Sequence, residues 1–270
     1  MGDRKRRKQA FLAAHPICCF CGGKRPAETE DHVPARGIFD ERRWPDGYNF
    51  PACTACNNLT RHDEKIVAML ARIMNANDLT TETQNREMRR AMAAVHYAFP
   101  EAYKGMRLSA NEVRRFLKET GRSIDGYQTL GDFPLISIGQ PEFWQALRAF
   151  GTKLFCALHY KHAGRIVPVE GVIVIRFFSN VQVIDGKIPN EILSVLGRTP
   201  ILQRANTSLH EQFDYEYQVT VDKSMSLFLC GFRRSFALLG LVCDTDDLPE
   251  AFNEDIQAGK FRSKPFMHPG

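Results

Sequence analysis

The sequence predicts an α+β fold in three parts: a small zinc-stapled module, a helical segment, and an antiparallel β-sheet domain. Two Cys-x-x-Cys pairs mark the first part, apolar residues at helical spacing mark the second, and alternating or β-branched apolar runs mark the third. The expected divisions are a module at residues 1–75, a helical region at 76–164, an α+β region of unknown role at 165–259, and a tail at 260–270.

Composition restricts the class of protein before any motif is considered. The chain has 270 residues, of which 44% are hydrophobic and 25% charged, as in a globular protein of one or two domains. It has no apolar run of about 18 residues, and no apolar stretch follows the basic N-terminus, so we expect a cytoplasmic protein without a membrane segment. The net charge of +5 permits a polyanionic partner. The basic N-terminus suits phosphate binding and equally a solvated tail.

The eight cysteines are expected to serve two purposes. A chain without a secretory signal uses clustered cysteines as metal ligands more often than in disulfides. Cys156, Cys230 and Cys243 stand alone among apolar residues, where a thiol behaves as a small hydrophobic group, so we expect them in the core. The other five lie in the first quarter of the chain: Cys18, Cys19, Cys21, Cys53 and Cys56.

These five cysteines predict a metal site. Cys18 and Cys21 form one Cys-x-x-Cys pair, and Cys53 and Cys56 form a second. Four thiolates at this spacing suit a tetrahedral zinc ion, because each short turn directs two sulfurs at one metal. A closed shell of four cysteines leaves no open coordination position, so the zinc is expected to be structural. Cys19 lacks the two-residue spacing to Cys21 and is expected to be a bystander, although its replacing Cys18 at the zinc stays open.

The helices are predicted from apolar spacing and from capping residues. Apolar residues repeat at helical spacing through 57–74, which predicts a helix after the second cysteine pair. The segment Ser109–Glu112 has a capping-box pattern, and Gly121 is placed to end the helix that follows. A longer helix with a broad apolar stripe is predicted over 141–164, after a loop at about 126–141.

Four strands are predicted beyond residue 165, and their pattern favours an antiparallel sheet. One is a β-branched apolar run, one alternates apolar and polar residues, and two are further apolar runs. Arg233 and Arg234 lie between the last two strands. Their preferred interpretation is a hairpin turn, and the alternative is a phosphate contact. The four strands are 171–178, 213–220, 225–232 and 235–242.

The residues between and after the cysteine pairs have the chemistry that phosphodiester hydrolysis needs. That reaction requires a base to activate water and a cation to stabilise the charge on the leaving oxygen. His32 can be the base, because neutral imidazole predominates at cellular pH. Asp31 and Asn57 are hard oxygen donors, which suit Mg²⁺ or Mn²⁺. Neighbours on a strand face opposite sides, so a bend must bring Asp31 and His32 to one site, and Pro34 is consistent with such a bend.

The order of these residues resembles the HNH (ββα-metal) endonuclease family, in which an Asp-His pair shortly before a proline precedes an asparagine and then Cys-x-x-Cys-Asn. The sequences DHVPARGIF and PACTACN, with Asp63-Glu64 after them, are similar more narrowly to stand-alone bacterial HNH proteins. The resemblance covers about residues 16–75. The matching residues in this chain are Asp31, His32, Pro34, Asn49, Cys53, Cys56 and Asn57.

The resemblance implies a ββα-metal module with metal-dependent endonuclease activity. Asp31 and Asn57 would ligate the catalytic Mg²⁺ or Mn²⁺, His32 would activate the water, and Asn49 would orient His32. Hydrolysis would leave a 5′-phosphate and a 3′-hydroxyl. The expected substrate is nucleic acid, DNA rather than RNA, and the expected setting is phage defence or DNA processing.

Several alternatives stay open at the level of sequence. Three interpretations of His62 stay open: a third metal ligand, a phosphate contact or a solvated side chain. Arg36 and Arg61 are interpreted either as phosphate contacts or as part of a generic charged loop. A competing function is a non-catalytic zinc module that binds nucleic acid or protein. Another is a nuclease subunit that stays silent until a partner reaches the C-terminal region. That region is expected to recognise the target or to mediate contact with a second copy or a partner subunit.

Overall fold

The computed structural model describes residues 2–73, 81–124, 128–131, 135–248 and 260–266. Within these ranges the chain forms helices, one five-stranded antiparallel sheet and two small two-stranded sheets. The prediction of a mixed fold of helices and antiparallel sheet is therefore confirmed.

The cysteine-rich part is built on a short β-ribbon. Strands β1 (Thr29–His32) and β2 (Asn49–Ala52) pair in antiparallel fashion, and their register sets His32 directly opposite Asn49. The basic N-terminal segment, expected to be an arm or a tail, forms the largely exposed helix α1 (Asp3–Ala14).

Two helices follow the ribbon where the sequence predicts one over 57–74. Helix α2 (Thr54–Leu59) and helix α3 (Asp63–Ile73) are separated by a turn. The Thr60 hydroxyl in this turn donates a hydrogen bond of 2.8 Å to Glu64 in the first turn of α3. Such local side-chain bonds compete with helix continuation, and apolar spacing carries no signal of them.

The middle part is helical, as predicted. The Ser109 hydroxyl accepts a hydrogen bond from the backbone of Glu112 at 3.3 Å, which completes the predicted capping box, and Gly121 ends the helix with a φ of +65°. Gly164 ends the long helix in the same left-handed conformation, which glycine adopts without strain. The predicted loop at 126–141 lies partly outside the described residues. The helices are α4 (Glu82–Ala98), α5 (Pro100–Gly105), α6 (Ala110–Thr120) and α7 (Pro141–Ala163).

The main sheet contains the four predicted strands, β3 (Val172–Ser179), β6 (Asp214–Val219), β7 (Met225–Phe232) and β8 (Phe236–Cys243), together with a fifth strand, β9 (Lys260–Ser263). Their order in the sheet is β6-β7-β8-β3-β9. Arg233 lies in the turn of the β7–β8 hairpin with a φ of +53°, so the hairpin interpretation of Arg233-Arg234 is confirmed. Between β3 and β6 lie α8 (Asn180–Ile184), α9 (Asn190–Val195) and the β4–β5 ribbon (Gln203–Arg204 and Thr207–Ser208).

Strand β9 corrects the prediction of a tail over 260–270 for its first four residues, and residues 267–270 lie outside the described residues. Its four residues pair with β3, from Ile173 with Ser263 to Arg176 with Lys260. The β-branched run of β3 is buried, so its backbone N–H and C=O groups need partners on both sides. A four-residue segment that alternates charged with uncharged side chains is too short to indicate a strand by itself.

One hydrophobic core runs through all three parts. Helix α7 packs on α3 on one side and on the main sheet on the other, and the cysteine-rich residues belong to the same buried cluster. Gly240 allows the close contact, because a Cβ at this position would lie 2.4 Å from the Phe155 ring of α7. Residues 2–73 are therefore packed against the rest of the described chain instead of standing apart. The buried apolar residues of α7 include Phe143, Leu147, Phe150, Leu154, Phe155 and Leu158.

Candidate functional site

Four of the clustered cysteines converge. The sulfurs of Cys18, Cys21, Cys53 and Cys56 lie within 4.8 Å of one another, and all four residues are buried. Backbone N–H groups donate to two of the sulfurs, at 3.5 Å to Cys18 and 3.4 Å to Cys53, as expected for thiolates held in short turns. The donor set and its compactness fit a tetrahedral zinc ion. Cys19 is buried outside this cluster, so Cys18 is the member of the first pair.

His32 lies at the end of β1 with its ring held on one side. Its Nδ1 is 2.8 Å from the side-chain oxygen of Asn49. That oxygen also accepts from the Trp44 indole at 3.1 Å, while the Asn49 amide nitrogen donates to Glu30 at 3.1 Å. Because Asn49 presents its oxygen, the proton of neutral His32 lies on Nδ1 and the lone pair on Nε2.

Burial and nearby positive charge keep His32 uncharged. Burial, and next the charge of Arg36, lower the pKa of His32 to about 4. The Arg36 guanidinium contacts Nε2 of His32 and lies 4.1 Å from the Trp44 ring centroid. His32 is therefore neutral near pH 7, and an anion that attracts Arg36 would expose the lone pair of Nε2.

Asp31 faces a different set of residues from its neighbour. Its side chain is nine-tenths buried and forms an ion pair of 2.7 Å with Lys153, which projects from α7. Burial raises the pKa of Asp31 to about 6, although Lys153 opposes the shift. Asp31 and His32 nevertheless both line one cavity, since β1 ends at His32 and the chain turns at Pro34.

Asp31 and Asn57 make separate contacts. The Asn57 amide donates to Thr29 at 3.3 Å, and Asn57 is not among the residues that line the cavity. Oδ2 of Asp31 lies 2.7 Å from Nζ of Lys153. Joint ligation of a divalent ion by Asp31 and Asn57 stays a prediction from the resemblance. His62 is exposed in the turn between α2 and α3 and is also outside the cavity.

The cavity is basic and has a volume of about 570 Å³. It lies between the β-ribbon end, α3 and α4, so the middle part of the chain supplies one of its walls. Arg72 is engaged with Glu87 at 3.2 Å. Among the described residues, no ion pair or side-chain hydrogen bond engages the side chains of Arg42, Arg61, Lys65 and Arg90. The basic residues of the lining are Arg36, Arg42, Arg61, Lys65, Arg72 and Arg90.

Sequence reasoning missed Lys153 and Arg90. Both lie on helices outside the motif, and only the folded chain brings them to it. The one local signal for Lys153 is a lysine inside an apolar helical stripe, between Phe150 and Leu154. A buried lysine is rare without a charged partner, so such a position points to an ion pair somewhere in the fold.

Comparisons of this chain with protein-family models, with curated proteins and with solved structures give no match. The membership of the HNH family accordingly stays a prediction from the residues themselves. Among the described residues, every helix is too short or too polar to cross a membrane.

Proposed function

We propose that this protein is an endonuclease that hydrolyses phosphodiester bonds in nucleic acid. The observation that carries the proposal is a neutral histidine, oriented by Asn49, at the edge of a basic cavity. A general base needs an accessible lone pair and a low enough pKa to be unprotonated at the working pH, and His32 meets the second condition. The first is met once Arg36 turns from Nε2 toward a bound phosphate.

The residues of this chain supply most parts of such a reaction. Nε2 of His32 would take a proton from the attacking water, and Arg36 would stabilise charge on the phosphate oxygens. The Asn49 hydrogen bond would hold the ring while it becomes positively charged. Products with a 5′-phosphate and a 3′-hydroxyl, DNA as the preferred substrate, and a Mg²⁺ or Mn²⁺ ion at Asp31 and Asn57 are predictions from the resemblance.

The experiment that tests the proposal is a cleavage assay with a panel of substrates. The purified, zinc-containing protein is incubated with plasmid, single-stranded DNA and RNA, in Mg²⁺, in Mn²⁺ and in EDTA. Cleavage of at least one nucleic acid in the presence of a divalent ion, abolished by EDTA, is expected. Absence of cleavage from every arm, with zinc bound and the protein folded, would refute the proposal.

The cavity predicts where the nucleic acid lies. Arg61 in the α2–α3 turn and Arg90 on α4 both line it and have no partner within the described residues. The double substitution Arg61→Glu and Arg90→Glu is therefore expected to weaken DNA binding at least about tenfold, and to lower the salt dependence of binding by roughly two phosphate contacts. Fluorescence anisotropy in EDTA measures binding without cleavage.

A matched control separates the cavity from net charge. Arg115→Glu with Lys118→Glu makes the same charge change on the exposed face of α6, away from the cavity. This pair is expected to weaken binding much less. Equal losses for the two pairs would mean that overall charge, and not this cavity, governs the interaction.

A second candidate function is a zinc module that binds nucleic acid without cutting it. The observation in its favour is that Asp31 forms an ion pair with Lys153 while the Asn57 amide donates to Thr29, so both expected metal ligands have other partners. Tight binding in the anisotropy experiment, together with no cleavage in any arm of the panel, would select this function. Phage defence, a second copy or a partner at the C-terminal region, and a cytoplasmic location also stay predictions.

A further inference from the structure

Lys153 is a charged side chain in the middle of the core. Only 2% of the residue is exposed, yet its ammonium is surrounded by oxygen atoms. The Nζ atom lies 2.7 Å from Oδ2 of Asp31, 2.9 Å from Oε1 of Glu64 and 2.8 Å from Oγ1 of Thr60. The ammonium donates hydrogen bonds to Glu64 and Thr60, and it forms an ion pair with Asp31.

The surroundings keep this ammonium charged. Burial by itself lowers the pKa of Lys153, but the charges of Asp31 and Glu64 outweigh it, and the net shift is upward. A buried charge is costly unless it is paired and hydrogen-bonded, and one positive charge here faces two negative ones. The cluster joins three separate parts of the fold: β1, the α2–α3 segment and α7.

The same oxygens are those that a divalent cation would select. Two carboxylates and a hydroxyl are hard donors of the type preferred by Mg²⁺ and Mn²⁺. In this structure they converge on a cation that the chain itself provides. Asp31 and Glu64 also line the cavity, so the cluster forms part of the cavity wall.

We propose that Lys153 is the resident cation of this site and competes with a divalent ion for Asp31 and Glu64. The proposal rests on the proposed function only in treating Asp31 as part of the site. Its physical basis is Coulombic: a unit positive charge 2.7 Å from the Asp31 carboxylate opposes the binding of a second cation to the same group. Lys153 is on this view a positioning residue, which sets the charge and the orientation of Asp31.

The substitution Lys153→Met removes the charge and keeps a side chain of similar length. We expect it to bind Mn²⁺ at least tenfold more tightly than the wild type, as measured by electron paramagnetic resonance on the full-length, zinc-containing protein at pH 8 without nucleic acid. The double variant Lys153→Met with Glu64→Gln is expected to lose most of that gain. Lys161→Met, which removes a lysine two turns further along α7, is expected to leave Mn²⁺ affinity within about twofold of wild type.

A merely structural lysine would give a different result. Its removal would lower stability and would not raise metal affinity, so an affinity for Mn²⁺ equal to or weaker than that of the wild type in a folded Lys153→Met protein overturns the proposal. Where Lys153→Met does not fold, Lys153→Gln, which also removes the charge, is measured in its place. An affinity for Mn²⁺ no greater than that of the wild type in this variant overturns the proposal.

Cleavage has no part in this experiment, so the two proposals fail separately. Tight Mn²⁺ binding by Lys153→Met in a protein that never cuts nucleic acid supports the role of Lys153 and refutes the endonuclease. Cleavage by the wild type, with no gain of Mn²⁺ affinity in Lys153→Met, supports the endonuclease and refutes the role of Lys153.

Discussion

Replacing His32 by alanine is expected to lower the rate of phosphodiester cleavage by at least about a hundredfold, because a positioned general base contributes roughly 10²–10⁴ to such a rate. The variant should still bind DNA in EDTA, since the basic side chains of the cavity are unchanged. Single-turnover cleavage by the zinc-containing protein, compared with anisotropy on the same oligonucleotide, separates the two effects. A His32→Ala rate equal to that of the wild type would mean that another group activates the water.

His62 provides the matched control in the same module. It is exposed outside the cavity, so His62→Ala is expected to retain the wild-type rate. A large loss in His62→Ala would instead restore the interpretation of His62 as a metal ligand or phosphate contact, and would require the α2–α3 turn to move when substrate binds.

Replacing Cys53 by serine is expected to remove the zinc and to unfold the cysteine-rich part of the chain. Structural zinc sites in small modules bind with apparent free energies of roughly 10 kcal/mol or more, which is comparable to the whole stability of an ordinary domain. Cys53 also accepts the hydrogen bond that caps α2, so its loss affects the helix as well as the ion. Metal analysis should fall from about one zinc per chain to none, and thermal unfolding should shift to a much lower temperature.

The variant Cys19→Ala tests whether the effect of Cys53→Ser comes from the loss of zinc or from the loss of any buried thiol. It is fully buried next to Cys18 but is not one of the four converging cysteines. Cys19→Ala should keep its zinc and lose only the stability expected for a small change in the core. Loss of zinc from Cys19→Ala, or its retention in Cys53→Ser, would contradict the assignment of the four ligands.

The features of the fold that sequence predicts well are those with local causes. Ser109 with Glu112 begins a helix, Gly121 and Gly164 end helices in the left-handed conformation, and alternation marks β6. In each case a few neighbouring residues determine the geometry. Strand β9 was not predictable in this way, because the reason for its existence is the open edge of β3 far away in the chain.

The residues of the candidate site also fall into those that local sequence indicates and those that only the folded chain brings together. Its cysteines and the pair His32 and Asn49 lie within one segment, where motif spacing could indicate them. Lys153 and Arg90 come from helices outside that segment, and the engagement of Asp31 by Lys153 depends on the packing of α7. Sequence therefore indicated the cysteine cluster and the pair His32 and Asn49, but not the cation that the chain places beside Asp31.

Strand β9 also determines when the protein can first become complete during its synthesis. Ser263 pairs with Ile173, so the ribosome must add about 90 residues after that position, which takes roughly 5 to 18 seconds. Helix α7 is made before β3, but the sheet on which it packs does not yet exist. Asp31, Glu64 and Lys153 are therefore all synthesised well before the five-stranded sheet can be completed.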